Sequence, residues 1–425
     1  MSIEKIGTLL FAVALLHSFS VSLFAKWSHR FPQGSAPQAF LHLMSEVEVV
    51  FGIWAFLFLI VWTLLEGVQP VLKYQQSLNM TEPLFIFCIM ILAATRPIVS
   101  MARSIILFLS LNLSKIVPAN PLVIQFFVLF TVGPLLGSLI TEPAAITINA
   151  LILHRMIDGK KIDASLLYGI LALLFVNVSV GGALTHFAAP PILIVARVWH
   201  WGLDDVFLNL GEASLAAVFA NALIFTLVMR KKIIHMLIPM DQEQHRIPIG
   251  IVISHLFFLV AIVMTSHYSQ VFFGLFLIFI GFTTVTKKYQ DGLKYREALL
   301  VGFFLAGLIV FGSFQRWWLE PIIQTLNEKT LYFAAIGLTA ITDNAALTYL
   351  GSQVSTITDS SKWALVSGAL VGGGLTILAN APNPVGFSIL NSKFPNASLN
   401  ALKLFLAALP LTVIAGICFF ALGRF

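Results

Sequence analysis

Long apolar stretches alternate with short polar connections along the whole chain. A helix that crosses a bilayer needs about 20 mainly apolar residues, and lipid tolerates only segments whose backbone groups are paired internally. The pattern therefore predicts an all-α polytopic membrane protein. The predicted apolar segments are 6–25, 49–65, 83–113, 121–140, 144–153, 166–198, 214–229, 249–265, 271–286, 298–314, 331–350, 363–378 and 402–422. We expect the first to be a retained helix, not a cleaved signal peptide.

One of these segments, 83–113, is interrupted by Arg96, Pro97 and Arg103. An arginine is costly in hydrocarbon. We therefore expect Arg96 and Arg103 to end a helix and to extend their charged ends toward the headgroups.

Composition agrees with the pattern. Of the 425 residues, 58% are hydrophobic and 10% are charged, against roughly 25% charged in a soluble domain. Mean hydropathy is +0.93. The formal net charge is +6. Basic residues in short loops orient membrane helices and favour an anionic membrane surface, so we expect the lipid bilayer, and not nucleic acid, as the partner. The most basic loop, 230–246, is predicted to be cytoplasmic. Cys88 and Cys418 lie in apolar segments and are expected to be packing residues.

Two pairs of short sequences recur in the same order. TEPAAIT at 141–147 matches TDNAALT at 342–348, and VGGALT at 180–185 matches VGGGLT at 371–376. Two ordered matches indicate an internal duplication. The loop at 154–163 is basic whereas its counterpart at 351–362 is poor in basic residues, as expected of an inverted-topology repeat.

Each copy is predicted to contain a re-entrant helical hairpin and a broken transmembrane helix. Glycine and proline interrupt the apolar pattern at both acidic motifs and at both glycine clusters, and irregular backbone at membrane depth must face protein or a water-filled cavity. The predicted division is 1–120 for N-terminal scaffold helices, 121–198 for the first transport repeat, 199–330 for an interfacial segment with linking and second-repeat scaffold helices, and 331–425 for the second transport repeat with the last span.

The repeated acids carry the predicted chemistry. An ionised carboxylate in apolar surroundings is costly, so Glu142 and Asp343 would each hold a proton or pair with a cation. A group that alternates between the two exchanges one for the other. Hydroxyl and amide oxygens beside the acids, and carbonyls at the broken helix ends, are ligands that hard cations prefer. The predicted ion- and proton-binding residues are Glu142, Asp343, Asn344, Thr141, Thr342, Thr147, Thr348, Thr185, Thr376 and Asn380, with broken-helix backbone at Gly181, Gly182, Gly372, Gly373 and Gly374.

The residues favour a secondary transporter that exchanges Na+ or Li+ for H+ by alternating access, with Na+ held at Glu142 and Asp343 and with no cofactor. A Na+- or H+-coupled transporter of a small anion remains open, because the same oxygens could bind the coupling ion. An intramembrane hydrolase is disfavoured, since the sequence has neither GxSxG nor HExxH. A channel is disfavoured because broken inverted repeats suit alternating access.

The stretch Ile341 to Thr348 resembles the Asp-Asn motif of the ion transporter superfamily, and the runs 180–191 and 371–384 resemble its glycine-rich loops. The superfamily includes bacterial sodium/proton antiporters, arsenite efflux pumps and divalent-anion/sodium symporters. Within it the chain most resembles a family described as sodium/proton antiporters. The resemblance implies two inverted repeats that meet at mid-membrane, a homodimer, an elevator-like motion and a bacterial inner membrane location.

Two departures from the superfamily pattern bear on the substrate. The first copy has Glu142-Pro143 where many relatives have Asp-Asn, which we interpret as altered cation geometry. Neither copy has the Ser-Asn-Thr tripeptide of the dicarboxylate symporters, which is an argument against a carboxylate substrate.

Overall fold

The computed structural model describes residues 2–157, 163–240, 247–394 and 399–423. Within these ranges every regular element is helical, apart from an isolated β-bridge between Ile157 and Leu237. The predicted all-helical class is confirmed for the described residues. Parts of the predicted basic loops, 158–162 and 241–246, lie outside them.

The first half of the chain contains α1 (Ile3–Ser28), α2 (Ala36–Leu43), α3 (Val47–Glu66), α4 (Val68–Ser77), α5 (Thr81–Ala93), α6 (Arg96–Ile116), α7 (Pro121–Ile140), α8 (Glu142–Met156), α9 (Ala164–Gly181), α10 (Pro190–Val198), α11 (Leu203–Val206) and α12 (Glu212–Met236). The π-helical segment Phe207–Gly211 joins α11 to α12. The second half contains α13 (Ile249–Met264), α14 (Ser269–Val285), α15 (Tyr295–Gly312), α16 (Arg316–Thr325), α17 (Glu328–Thr339), α18 (Asn344–Ser352), α19 (Asp359–Gly372), α20 (Asn383–Leu390) and α21 (Ala401–Leu422).

Seven helical stretches among the described residues are long and apolar enough to cross a membrane, and the bent pair α4 and α5, at 60°, would make an eighth. The seven are Val49–Glu66, Arg96–Ile116, Pro121–Ile140, Ala164–Gly181, Leu203–Met236, Tyr295–Thr325 and Ala401–Leu422. The prediction of an integral membrane protein agrees with this count.

Several polar connections are helical where the sequence indicates only loops. α2, α4 and α16 lie in such connections, and each places apolar side chains along one side and polar ones along the other. A short helix of this kind satisfies its own backbone hydrogen bonds at a membrane surface. The hydropathy pattern does not identify them as separate helices because each is short and carries several polar residues.

A helix does end just before Arg96, as expected, because α5 stops at Ala93, but the same expectation for Arg103 is wrong. Arg96 is the first residue of α6, and Arg103 lies inside that helix with only 9% of its surface exposed. The helix instead ends at Ile116. The chain breaks at Ala94 and Thr95 because Pro97 fits the first turn of a helix but not its interior.

The helices pack in two groups. In one group, α15 packs against α3 and α5, α1 packs against α3, and α13 and α14 pack against each other and against α5. In the other, α12 packs against α7, α9 and α21, and α19 packs against α17 and α21. α6 contacts α7 and α13 and so touches both groups.

The helical path is interrupted after Gly181 and after Gly372, and the helix that follows each interruption packs against the opposite acidic motif. α10 packs on α18, and α20 packs on α8. Beyond α20, Lys393 Nζ donates to Ile157 O at 3.0 Å, whereas beyond α10 the Trp201 ring stacks on Trp363 at 3.5 Å between centroids.

The close approach of the second interruption to α9 requires glycine. A Cβ on Gly374 would overlap the backbone of Val176 in α9. We predict that Gly374→Ala lowers the thermal unfolding midpoint of the detergent-purified protein, because overpacking of this kind costs about 1–3 kcal/mol.

The matched control is Gly250→Ala in α13, where an added Cβ meets no described atom within 4 Å. Alanine favours the helix by up to about 1 kcal/mol there, so the midpoint should stay or rise. Equal effects of the two substitutions would contradict the packing described here.

Candidate functional site

Glu142 lies in the interior at the first position of α8, with 0% of its surface exposed. Its backbone N–H donates to Ala188 O at 3.2 Å. Its Oε2 accepts a hydrogen bond from Asn380 Nδ2 at 2.9 Å. Its Oε1 has no hydrogen-bond partner among the described residues. A buried carboxyl group with one unpaired oxygen is expensive unless a proton or cation completes it.

Thr141 turns the chain from α7 into α8 in an unusual conformation. Its φ of 86° and ψ of 152° fall in a region that costs a residue with a side chain about 1–3 kcal/mol. Thr141 is 1% exposed, and its hydroxyl has no hydrogen-bond partner among the described residues. The strained turn places this hydroxyl directly beside Glu142 in the chain.

Asp343 begins α18 as its N-cap. One of its carboxylate oxygens accepts from the backbone N–H of Ala345 at 2.8 Å and of Ala346 at 3.1 Å. The positive end of the helix dipole favours this charge. Asp343 is 8% exposed. The two acids therefore occupy different local settings, since one is the N-cap and the other is the first helical residue.

Asn380 brings the two acidic motifs together. It donates to Glu142 of the first copy and lines a small cavity that also contains Asp343 of the second copy. Asn380 is 1% exposed, and its Oδ1 is unpaired among the described residues. The predicted residues Glu142, Asp343 and Asn380 thus form one buried cluster.

Glycines let the interruptions approach this cluster. A Cβ on Gly182 would lie 2.7 Å from Glu142 Oε1. A Cβ on Gly373 would lie 2.8 Å from Asn344 Nδ2. Asn344 is fully buried, and neither polar atom of its side-chain amide has a partner among the described residues.

The two interruptions make equivalent hydrogen bonds through their backbone carbonyl groups. Ala188 O accepts from Glu142 N–H, and Ala379 O accepts from Asn344 N–H at 3.0 Å. Two of the predicted threonines, one in each interruption, also make equivalent hydrogen bonds. Thr185 Oγ1 donates to Ser138 O at 2.6 Å, and Thr376 Oγ1 donates to Ala340 O at 2.9 Å. Both threonines therefore fasten an interruption to the segment before an acidic motif.

Three predicted threonines use their hydroxyls elsewhere. Thr147 donates to Pro143 O, Thr348 donates to Ala345 O, and Thr342 donates to Leu338 O, each within its own helix or turn. Thr147 also lines a separate cavity beside α6. Among the described residues, none of these three hydroxyls is hydrogen-bonded to Glu142, Asp343 or Asn380.

Three residues that hold the site together were missed in the sequence. Ser138 Oγ donates to Gly181 O at 2.7 Å, and Ser179 Oγ donates to Leu370 O at 2.8 Å. Asn383 Nδ2 donates to Gly373 O at 2.8 Å and to Thr376 O at 2.9 Å. Of the three, only Asn383 could have been suspected from the sequence, since it belongs to the Asn- and Pro-rich run that follows the second glycine cluster.

Within the described ranges, no three His, Cys, Asp or Glu side chains are grouped so that they could hold a metal ion. The oxygens around Glu142 come instead from one acid, hydroxyls, amides and backbone carbonyls. Such a donor set suits a weakly held hard cation better than a resident transition metal.

A family model described as "Putative Na+/H+ antiporter" matches residues 2–422. The chain belongs to this family. No curated protein matches the sequence. Membership in an antiporter family makes the protein a membrane transporter of ions and not a member of an enzyme class. The resemblance seen in the acidic and glycine-rich motifs is confirmed over nearly the whole chain.

We predict that Ser138→Ala in this antiporter family member destabilises the junction before Glu142. Ser138 is 0% exposed, and its hydroxyl also accepts from Leu184 N–H at 2.9 Å. Its removal leaves a buried carbonyl and a buried N–H unpaired, at about 1–3 kcal/mol each. The thermal unfolding midpoint of the purified protein should fall.

Ser104→Ala on α6 is the control, because its exposed hydroxyl bonds only one turn back within its own helix. If both alanine variants unfold at the wild-type temperature, the Ser138 contacts do not support the site.

Proposed function

We propose that the protein exchanges Na+ or Li+ for H+ across the membrane by alternating access, with Glu142 and Asp343 as the groups that carry the ions. The observation that supports this most directly is the Asn380 side chain, which bonds Glu142 and shares a cavity with Asp343. One asparagine thus joins the two repeated acids in one buried cluster.

The cluster offers oxygens to a cation. Glu142 Oε1, Thr141 Oγ1 and Asn380 Oδ1 are buried and lack hydrogen-bond partners among the described residues. A hard cation prefers such ligands, and a cation beside Glu142 offsets the cost of its buried charge. When the cation leaves, a proton on the same carboxyl group offsets that cost instead. Because the cation and the proton compete for this one carboxyl group, transport of the cation is coupled to transport of the proton.

The proposed architecture is two inverted repeats, each with a re-entrant hairpin and a broken helix, divided as the sequence predicts. The support is the reciprocal packing of α10 on α18 and of α20 on α8. A pair of half-helices that open toward opposite faces suits access from one side at a time.

The remaining expectations belong to the same proposal. We place the protein in a bacterial inner membrane as a homodimer, with the 230–246 loop in the cytoplasm. Ile238 N–H donates to Met156 O at 2.8 Å, and Lys232 pairs with Asp163 at 3.0 Å. The end of α8 and the residue before α9 therefore lie beside the end of α12, which runs to Met236 and so includes the first basic residues of the segment that the sequence predicts to be a loop.

The test uses proteoliposomes that contain a trapped pH dye and have an acidic interior. External NaCl or LiCl should raise the internal pH, whereas choline chloride should not. Asp343→Asn and Glu142→Gln should each reduce this rate by at least about a hundredfold, because an amide cannot release and rebind the proton.

Both substitutions preserve the local hydrogen bonds, which separates loss of function from loss of fold. Asparagine caps a helix about as well as aspartate, and a glutamine oxygen can still accept from Asn380. The matched control is Asp359→Asn, an exposed acid paired with Lys362. No response of the wild type to any cation would reject cation exchange, and normal exchange by the Glu142→Gln, Asp343→Asn double variant would reject the assigned carriers.

A further inference from the structure

A buried polar joint connects α7, α9 and α12. At its centre is Asn177 of α9, which is 0% exposed. Its Nδ2 donates to Phe130 O of α7 at 2.9 Å and to Val218 O of α12 at 3.1 Å. Its Oδ1 accepts from Asn221 Nδ2 of α12 at 3.1 Å. One side chain therefore holds three helices, and nothing in the proposed exchange yet uses it.

A proline explains why α7 needs this joint. Pro134 lies inside α7 and has no N–H, so Phe130 O, four residues earlier, cannot accept its usual helical hydrogen bond. A buried carbonyl group without a partner is costly. Asn177 supplies the missing donor from the neighbouring helix. The proline of α7 and the asparagine of α9 therefore act as a pair.

The same two helices are joined again closer along the chain to Glu142. Ser138 Oγ of α7 donates to Gly181 O at the end of α9 at 2.7 Å. A Cβ on Gly181 would lie 2.9 Å from the backbone of Pro134. Asn177 and Gly181 are four residues apart and so lie on one face of α9. This face of α9 is fixed against α7 by both side-chain bonds and close packing.

The contact between α7 and α9 bounds the space beside Glu142. α7 leads through the strained turn at Thr141 into Glu142. α9 leads to Gly182, where an added Cβ would lie 2.7 Å from Glu142 Oε1. Since this oxygen is one that the proposed function gives to the cation, a shift of α9 against α7 would change how closely a cation is held.

We propose that Asn177 is a positioning residue that sets the width of the cation space beside Glu142, and with it the preference among cations of different size. This role rests on the proposed cation exchange. Asn177 acts through the placement of α9 on α7 and not as a cation ligand. A smaller cation such as Li+ depends more on a close and fixed spacing of oxygens than Na+ does, because selectivity follows cavity size and rigidity.

The first measurement tests the pair without transport. Thermal unfolding of the full chain purified in detergent is compared for the wild type, Asn177→Leu, Pro134→Ala and the double variant. Pro134→Ala supplies the N–H that Phe130 O lacks, so Asn177→Leu should lower the midpoint less in that background. Equal losses in the two backgrounds would overturn the proposal.

The second measurement is exchange in the proteoliposomes described above, with rates per folded protein at varied NaCl and LiCl. Asn177→Leu should raise the KM for Na+ by about tenfold and the KM for Li+ by more, because a misplacement of about 1 Å can cost up to about a hundredfold. Both changes should be smaller in the Pro134→Ala background.

The matched control is Asn221→Leu. Asn221 is as buried as Asn177, but its hydrogen bond joins α12 to α9 and does not reach α7. This variant should lower the unfolding midpoint and leave the ratio of the KM values for Li+ and Na+ as in the wild type. If it changes that ratio as much as Asn177→Leu does, the effect is a general loosening and the proposal is overturned.

Asn177→Ser is the second variant, for use if Asn177→Leu does not fold. A serine hydroxyl can bond within its own helix, and small residues suit helix contacts in membranes, but its shorter side chain should not reach Phe130 O. Wild-type KM values for both ions in a folded Asn177 variant would overturn this role alone. Silence of the wild type with every cation would reject cation exchange itself, and this role with it.

Discussion

A carboxyl group with no exposed surface has to be neutralised, and this requirement at Glu142 shapes the centre of the molecule. The charge of an isolated carboxylate costs far more to bury than one hydrogen bond returns. The protein supplies an amide from Asn380, a helix start at α8 and a strained turn at Thr141. It leaves one oxygen of the carboxyl group without a described partner. In the proposed function a proton or an ion completes this site.

Other polar side chains at the centre of the molecule hold the non-helical backbone of the interruptions in place. The interruptions after α9 and α19 expose carbonyl and N–H groups that have no helical partners. Ser138, Ser179 and Asn383 satisfy several of these groups with their side chains. Glycine is needed where the second interruption approaches α9, as at Gly374 against Val176. The polar residues near the acids thus divide into those that fix backbone and those that remain available to a cation.

Length, hydropathy and sequence repetition are visible in one dimension, so the sequence predicted the all-helical class and singled out two acids that the structure buries near Asn380. It predicted Thr147 less well. Thr147 lies five positions after Glu142, and at 3.6 residues per turn this rotates its side chain well away from the acid. It lines the separate cavity beside α6 instead. Ser138 could not be found, since its partners Gly181 and Leu184 become neighbours only after folding. The burial of Arg103 likewise depends on how α6 packs.

The bond from Asn380 to Glu142 has an evolutionary consequence. After a duplication, one copy is usually free to change while the other preserves the original function. Here the amide that serves the acid of the first copy belongs to the second copy. If the two segments are copies of one ancestor, loss of either half of this bond would leave the other half unpaired, so selection would act on both together. The Glu142-Pro143 and Asp343-Asn344 pairs show how far two such copies can diverge in detail while they remain a single unit of selection.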